Sequence, residues 1–294
     1  MNDPSVQVGI DDRGHYFYVA RVRHEPGRSR VEALARFDRS LIRSHQLLES
    51  GQLVFSVADD MVAVNEVSLP SRESDRPAEV IEFEHTQSLI EDGLSYFFDA
   101  IQVGADSKRC LALKVRQTHL SNMIQPFTQV TGGDTSRVRF TLRAEALGQG
   151  FIHYAPTEYG DFACLIDFNE RLASLCFVHR REIIGVAHLA TSQYDMTSTP
   201  GLQKMAAELK TIVNFKLAAF SRQNISVPLS AVFLSGSHLD TQAGEILHGH
   251  FSVGIREVVL NSGFFPQPDK MSEIPAGDYV VALGLTVLKK DRAS

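Results

Sequence analysis

The chain has 294 residues, of which 44% are hydrophobic and 22% charged, so it is long enough for a two-lobed globular protein with a sizeable core. Its net charge of −6 provides no global attraction to nucleic acid or to anionic lipid, and we expect no nucleic-acid partner. The three cysteines lack a CxxC spacing and are odd in number, which indicates a reducing compartment and argues against a disulfide framework.

The N-terminal residues predict a β-hairpin that begins almost at once. Residues 6–10 form an apolar strand that ends at Asp11, the chain reverses through residues 12–14, and residues 16–22 return as a second strand. No basic and apolar leader precedes this hairpin, and no apolar run in the chain approaches the ~20 residues of a membrane-spanning helix. We therefore expect a cytoplasmic protein that reaches a membrane only through a partner.

A first lobe is predicted over residues 1–77 and 137–160, and a small α/β domain over residues 78–136 interrupts it. Within the first lobe we predict further strands over residues 31–37, 52–58, 62–69 and 137–142, and a short helix from Ala144. The breaker cluster at residues 70–77 marks the border of the inserted domain. Its predicted elements are a helix over residues 78–90, strands over 96–103 and 110–115, and a helix from Thr118 to about Pro126.

A second lobe is predicted over residues 161–294, and it opens with another hairpin of the first kind. Residues 162–166 form an apolar strand that ends at Asp167, and the chain returns over residues 172–178. A long amphipathic helix follows, with Thr199 as its N-cap and Pro200 as its first residue. The predicted elements after that helix are a strand over 231–234, a turn at Gly236, a short helix, and a strand-to-helix run over 279–288.

Two strands that each end in an aspartate are typical of a phosphate-binding cleft. Asp11 and Asp167 are placed where a carboxylate can hold a Mg²⁺-bound water, and we treat both as candidate metal residues. Glycines after the aspartate normally let backbone N–H groups approach the phosphate. Two such hairpins and a later glycine turn for adenosine form the layout of sugar kinases, Hsp70 and actin. An aspartate at a strand end is also a common turn residue, so an unrelated α/β protein stays an alternative.

The order of several short motifs resembles the PilM family, the actin-like proteins of the type IV pilus inner-membrane platform. The similar segments are residues 8–11, 67–70, 80–84, 110–114, 144–147, 208–215, 233–236 and 282–285. The resemblance implies an actin-like, ribonuclease-H-like α/β fold with two lobes and a small inserted α/β domain. It also implies that Glu208 begins a helix segment beside the nucleotide and that Gly236 lies at the adenosine turn.

The chain departs from the family at the positions that would contact a nucleotide. Arg13 and Asn169 replace small residues after the two aspartates, Glu170 adds a negative charge, and Ser237 replaces a second glycine at the adenosine turn. The candidate residues of a vestigial nucleotide site are Asp11, Arg13, Gly14, Asp167, Asn169, Glu208, Gly236 and Ser237. Arg13 suits a phosphate, but it equally suits an ion pair with Asp11 or Asp167 that fills an empty site, and we favour the ion pair.

The resemblance implies a scaffold with a degenerate nucleotide site and no catalytic residues. Such a scaffold grips the cytoplasmic N-terminal tail of a single-pass membrane partner in a groove between the first lobe and the inserted domain. It is expected to be peripheral to the inner membrane, in a type IV pilus or a related secretion machine such as a type II platform. The alternative is an active ATPase or kinase of the same fold, and binding of ATP or ADP with Mg²⁺ stays open.

Overall fold

The computed structural model describes residues 3, 5–40, 46–68, 94–103, 109–128, 134–155, 160–223, 225, 227–236, 241–265 and 276–287. The predicted helix over residues 78–90 and the candidate Ser237 lie outside the described residues. Within the described part, the strands form three sheets. None of the described helices is long and apolar enough to cross a membrane.

The first sheet has five strands in the spatial order β3-β2-β1-β4-β8. Its strands are β1 (Val6–Asp12), β2 (Tyr16–Glu25), β3 (Arg28–Asp38), β4 (Gln52–Val57) and β8 (Val138–Leu142). Strand β1 pairs with β2 as the antiparallel hairpin predicted from the sequence, and it pairs with β4 in parallel. Strand β8 continues the parallel side of the sheet beyond β4.

The second sheet repeats that arrangement in the second lobe, with the order β11-β10-β9-β12-β13. Its strands are β9 (Phe162–Phe168), β10 (Leu172–His179), β11 (Glu182–Ala190), β12 (Ala231–Ser235) and β13 (Ile255–Glu257). Here too the first strand forms an antiparallel hairpin on one side and a parallel pair on the other. The two lobes are therefore two copies of one sheet topology.

A third, antiparallel sheet has the order β5-β7-β6 and carries a short helix. It consists of β5 (Val62–Ser68), β6 (Tyr96–Gln102), β7 (Arg109–Arg116) and α1 (Gln117–Ile124). The predicted division of the chain puts β5 in the first lobe, but β5 is hydrogen-bonded to β7 along its whole length. This sheet thus begins before the predicted border at residue 77, while the exact domain borders stay a prediction.

The remaining helices are α2 (Arg143–Tyr154), α3 (Thr199–Arg222), α4 (Thr241–His250) and α5 (Val280–Gly284). Short 3₁₀ segments occur at Gln46–Leu48, Asp59–Met61, Gln125–Phe127, Thr135–Arg137, Thr191–Gln193, Ser262–Phe264 and Ala276–Tyr279. The N-cap of α3 is Ser198, one residue before the predicted Thr199, and its Oγ accepts a hydrogen bond from the Gly201 N–H at 3.3 Å.

Helices α2 and α5 pack between the two lobes and form much of their shared core. A Cβ at Gly150 of α2 would lie 2.0 Å from the Val280 carbonyl oxygen, and a Cβ at Gly284 of α5 would lie 1.7 Å from the Ala146 carbonyl oxygen. Only glycine lets the two helix backbones approach this closely. The contact fixes the start of α2, and hence Arg143, between the two sheets.

Candidate functional site

Asp11 and Asp167 face each other between the lobes. Each is the penultimate residue of its strand, β1 in the first lobe and β9 in the second, and each side chain is fully buried. Because the two sheets share one topology, the same strand position brings both carboxylates to the interlobe cleft. The structure therefore brings together the two aspartates that the sequence singled out.

A serine on the neighbouring parallel strand holds each aspartate. Ser56 of β4 donates from Oγ to Asp11 Oδ1 at 2.8 Å, and Ser235 of β12 donates from Oγ to Asp167 Oδ1 at 2.6 Å. These matched hydrogen bonds extend the likeness of the lobes from their strands to their side chains. Neither serine was predicted as a site residue, although Ser56 lies within the predicted strand over residues 52–58 and Ser235 directly follows the one over 231–234.

Arg13 crosses the cleft from the turn after β1. Its Nε donates to Asp11 Oδ2 at 2.8 Å, and one terminal nitrogen donates to Asp167 Oδ1 at 3.1 Å. The same nitrogen donates to the Asp278 carbonyl oxygen at 2.7 Å, and the guanidinium lies 4.7 Å from the centre of the Tyr18 ring. Of the two interpretations of Arg13, the structure has the ion pair, and it is made with both aspartates.

A second arginine, Arg143, makes a parallel bridge. It is the first residue of α2, and its two terminal nitrogens donate to Asp11 Oδ1 and, at 2.5 Å, to Asp167 Oδ2. Its side chain is 1% exposed, as is that of Arg13. Arg143 was not predicted as a site residue because it lies at the border between a predicted strand and a predicted helix. The signal that could have found it is a cation at the N-terminal end of a predicted helix, where the helix dipole disfavours positive charge.

The two arginines and two aspartates form a buried, neutral cluster, which we call the interlobe tetrad (Asp11, Arg13, Arg143 and Asp167). Burial alone would lower the pKa of Arg13, but the carboxylates of Asp167 and Asp11 raise that pKa above its ordinary value overall. Burial opposes ionisation of Asp167, yet the charges of Arg13 and Arg143 hold its pKa below the ordinary value. Arg13, Arg143 and Asp167 are therefore charged at neutral pH.

The turns after the two aspartates meet at the mouth of the cleft. Gly14 has a φ of +91°, and a Cβ on it would lie 2.5 Å from the Glu170 Oε2. Asn169 folds back on its own turn, where its Oδ1 accepts hydrogen bonds from the N–H groups of Arg171 and Leu172 at 2.9 and 2.8 Å. The candidates Gly14 and Asn169 thus lie beside the tetrad, but neither enters it.

The candidates carried over for the adenosine side are not members of the tetrad. Gly236 has a φ of +108° and packs on β9, where a Cβ would lie 2.2 Å from the Phe168 carbonyl oxygen. Glu208 lies on the exposed side of α3, and its carboxylate accepts a hydrogen bond from the Tyr194 hydroxyl. It makes no hydrogen bond or ion pair with the tetrad in the described part of the chain.

The tetrad is a poor match for a hydrated Mg²⁺ ion. The oxygens of Asp11 already accept hydrogen bonds from Arg13, Arg143 and Ser56. A bound cation would compete for these lone pairs and lie beside two buried guanidinium charges. Among the described residues, no group of three or more His, Cys, Asp or Glu side chains is placed to hold a metal ion.

A groove of about 520 Å³ lies between the first lobe and the third sheet, and we call it the insert groove. Its floor is the face of the third sheet that carries Val62, Phe97, Asp99, Leu113 and Val115. One wall is α1, with Gln117, Leu120, Ser121 and Ile124, and the other is β8, with every residue from Val138 to Leu142. Phe97 is half exposed within this apolar surface.

No protein-family model matches this chain, and no curated protein matches it. Among solved structures it is similar to a chain of the PilM-PilN type IV pilus biogenesis complex, with a TM-score of 0.65 and 14% identity over 95% of this chain and 97% of that one.

Weaker similarities are to a Bacteroides thetaiotaomicron protein with an actin-like ATPase fold and to the cytoplasmic domain of EpsL from the type II secretion system of Vibrio cholerae. The first has a TM-score of 0.47 and 8% identity over 86% of this chain and 91% of that one. The second has a TM-score of 0.42 and 11% identity over 83% of this chain and 93% of that one.

The chain therefore has the actin-like ATPase fold of PilM, and the fold class predicted from the order of its motifs is confirmed.

Proposed function

We propose that this protein is a non-enzymatic, actin-like scaffold whose nucleotide cleft is closed by its own side chains. The observation that carries the proposal is the interlobe tetrad, in which two buried arginines join the aspartates that would otherwise face a nucleotide. An active ATPase or kinase needs a cleft that admits phosphate and metal and a residue that orients the attacking group. Here the guanidinium groups occupy that position, which supports a structural role for the cleft.

The proposed partner is the cytoplasmic N-terminal tail of a single-pass inner-membrane protein of a type IV pilus or related secretion machine. The fold supports this proposal, because the similar solved structure is a complex of PilM with PilN. The insert groove supports it as well, since a mostly apolar groove in which a few side chains act as anchors suits capture of a short peptide. The scaffold is then cytoplasmic and peripheral to the inner membrane.

Two binding measurements test this proposal. Calorimetry with Mg-ATP is expected to show no binding heat for the wild-type chain, because the tetrad would have to open first. Fluorescence anisotropy is expected to show binding of a labelled N-terminal tail peptide from a single-pass inner-membrane protein of the same pilus or secretion machine. Phe97→Asp in the insert groove should weaken peptide binding at least tenfold.

Phe215→Asp is the matched control, because Phe215 is 70% exposed on α3, outside the groove. We expect it to bind the peptide as the wild type does. Tight Mg-ATP binding with steady turnover would favour the enzyme alternative. Failure of the tail peptide to bind, with both variants folded, would remove the partner assignment.

A further inference from the structure

We infer that the insert groove holds its occupant as an added β-strand, paired through the main chain with the free edge of β8. The identity of the partner rests on the proposed function, but this mode of binding rests on the geometry of the groove alone. The occupant is an extended peptide segment, recognised by its backbone and by apolar side chains at alternate positions.

The first observation is that the groove lies along a strand edge. Side chains of a strand alternate between its two faces, so a cavity on one face is lined mainly by every second residue. The groove contacts five consecutive residues, Val138 to Leu142. It therefore lies beside the edge of β8, where backbone N–H and C=O groups point.

The second observation is that this edge is a terminal one. Strand β8 is the last strand of the first sheet, and in the described part of the chain it pairs only with β4. An open edge presents a row of donors and acceptors that another strand can satisfy. An extended peptide in the groove would become the sixth strand of this sheet.

The third observation is the difference between the two edges of the same sheet. The opposite edge strand, β3, carries five charged residues among its 11: Arg28, Arg30, Glu32, Arg36 and Asp38. Charged side chains are a common means of blocking strand addition. Strand β8 carries one charged residue, Arg139, in five. Only the β8 edge therefore combines few charges with an adjoining apolar groove.

The floor of the groove defines the side chains that the added strand would carry. Val62 of β5 and Phe97 of β6 are the cross-strand neighbours of Val115, and Leu113 extends this face along β7. Because side chains of an extended peptide alternate, every second residue would face this floor and should be apolar. The intervening residues point away from the floor and are less restricted.

Peptide selection followed by backbone methylation tests the inference. A library of random ten-residue peptides is selected on the wild-type chain and counter-selected on Phe97→Asp, with Phe215→Asp as the control that must retain binding. We expect groove-dependent peptides with apolar residues at alternate positions. Each amide of the best binder is then N-methylated in turn, which removes one N–H donor and places a methyl group on the paired edge.

Strand addition predicts a period of two. Methylation at amides that face β8 should weaken binding at least tenfold, while methylation at intervening amides should change it less than threefold. Equal tolerance at all positions, or a library that yields no peptide dependent on the groove, would overturn the inference. If selected peptides show the period but the membrane-protein tail does not bind, strand addition stands and only the proposed partner is wrong.

Discussion

The two lobes have the same strand order and the same aspartate hairpin, yet the net charges that they contribute to the tetrad have opposite signs. In each turn the second residue after the aspartate donates a backbone hydrogen bond across the hairpin, from Arg13 to the Tyr16 carbonyl at 3.0 Å and from Asn169 to the Leu172 carbonyl at 2.9 Å. The backbones of the two turns thus match. What differs is the side chain that each turn carries.

The side chains at these matched positions explain how the cleft is closed. Arg13 extends across the cleft and binds the carboxylate of the other lobe, whereas Asn169 binds only N–H groups of its own turn. The second cation, Arg143, also follows a strand of the first sheet. The first lobe therefore supplies both positive charges, and the second lobe supplies an acceptor. Two arginines of the first lobe thus bind the aspartate of the second lobe.

The strongest test of this asymmetry is removal of Arg143. Arg143→Met leaves two buried carboxylates with one cation, and we expect a loss of about 3–5 kcal/mol in the free energy of unfolding, measured with urea. Arg171→Met, on the exposed turn of the second lobe, is the matched control and should change stability by less than ~0.5 kcal/mol.

Adding Asp167→Asn to Arg143→Met should recover part of the loss, because it removes the uncompensated charge. A loss below ~1 kcal/mol for Arg143→Met would contradict the view that this residue holds the lobes together.

A second difference between the lobes lies just after the serine strands. In the first lobe the chain continues to Asp59, whose Oδ1 accepts a hydrogen bond from the Ala144 N–H at 3.0 Å, whereas the second lobe turns at Gly236. Burial raises the pKa of Asp59 to about 6 from an ordinary 3.8. Ionised Asp59 therefore destabilises the folded state above pH 6, and this effect disappears as the pH falls toward 4.

Asp59→Asn keeps an acceptor for the helix N–H but removes the charge. The variant should be more stable than the wild type by up to ~3 kcal/mol at pH 8, and the difference should vanish near pH 4. Urea unfolding at pH 4, 5, 6, 7 and 8 measures this difference. Asp167 acts in the opposite direction, since its lowered pKa confers stability that is lost only below the ordinary value. If the stability difference between Asp59→Asn and the wild type does not change with pH, the pKa of Asp59 is not raised in the folded protein.

The sequence predicted the fold because the fold depends on patterns that recur along the chain. The aspartate hairpins, the alternating strands and the amphipathic stripe of α3 are local signals, and their order carried the resemblance. The helix that begins at Arg143 was also predicted, but from Ala144. A difference of one residue at a helix start is minor for the fold, yet here it concealed a residue of the tetrad.

The site was less predictable because its contacts join residues that are distant in sequence. Arg13 is near Asp11 in the chain, so an ion pair was a local hypothesis. The bridge from Arg143 to Asp167 depends on the packing of α2 between the lobes, which no local pattern reports. The proposed role of Glu208 at the nucleotide comes only from its position in a recognised motif and stays a prediction, since its side chain accepts a hydrogen bond from Tyr194 and, among the described residues, contacts no member of the tetrad.

A third test replaces the arginine of the first turn. Arg13→Gly should lower the free energy of unfolding by about 2 kcal/mol, less than the loss for Arg143→Met, because glycine leaves room for water beside the two carboxylates, whereas methionine fills the vacated space with an apolar side chain. The variant also opens space in the cleft, so Mg-ATP is expected to raise its Tm while leaving the Tm of the wild type unchanged.

Asn169→Gly, the matched change in the second turn, should cost no more than ~1 kcal/mol and should not create a response to Mg-ATP. Thermal unfolding of the wild type, Arg13→Gly and Asn169→Gly, each with and without Mg-ATP, measures these effects. A rise in Tm for the wild type that Arg13→Gly abolishes would mean that Arg13 is a phosphate ligand.

The smallest expected effect concerns the point where the two turns touch. Gly14 has a positive φ, whereas its counterpart in the second turn, Glu170, does not. Gly14→Ala should therefore lower stability by about 1–2 kcal/mol, mostly through backbone strain, because the Glu170 carboxylate can rotate away from the new Cβ. Glu170→Ala alone should have little effect, since its pairing with His15 is largely exposed.

Urea unfolding of the two single variants and the double variant separates the backbone strain at Gly14 from the contact with the Glu170 carboxylate. If the Gly14→Ala, Glu170→Ala double variant is as stable as Glu170→Ala alone, the contact with the carboxylate, and not the positive φ, explains why this turn carries glycine.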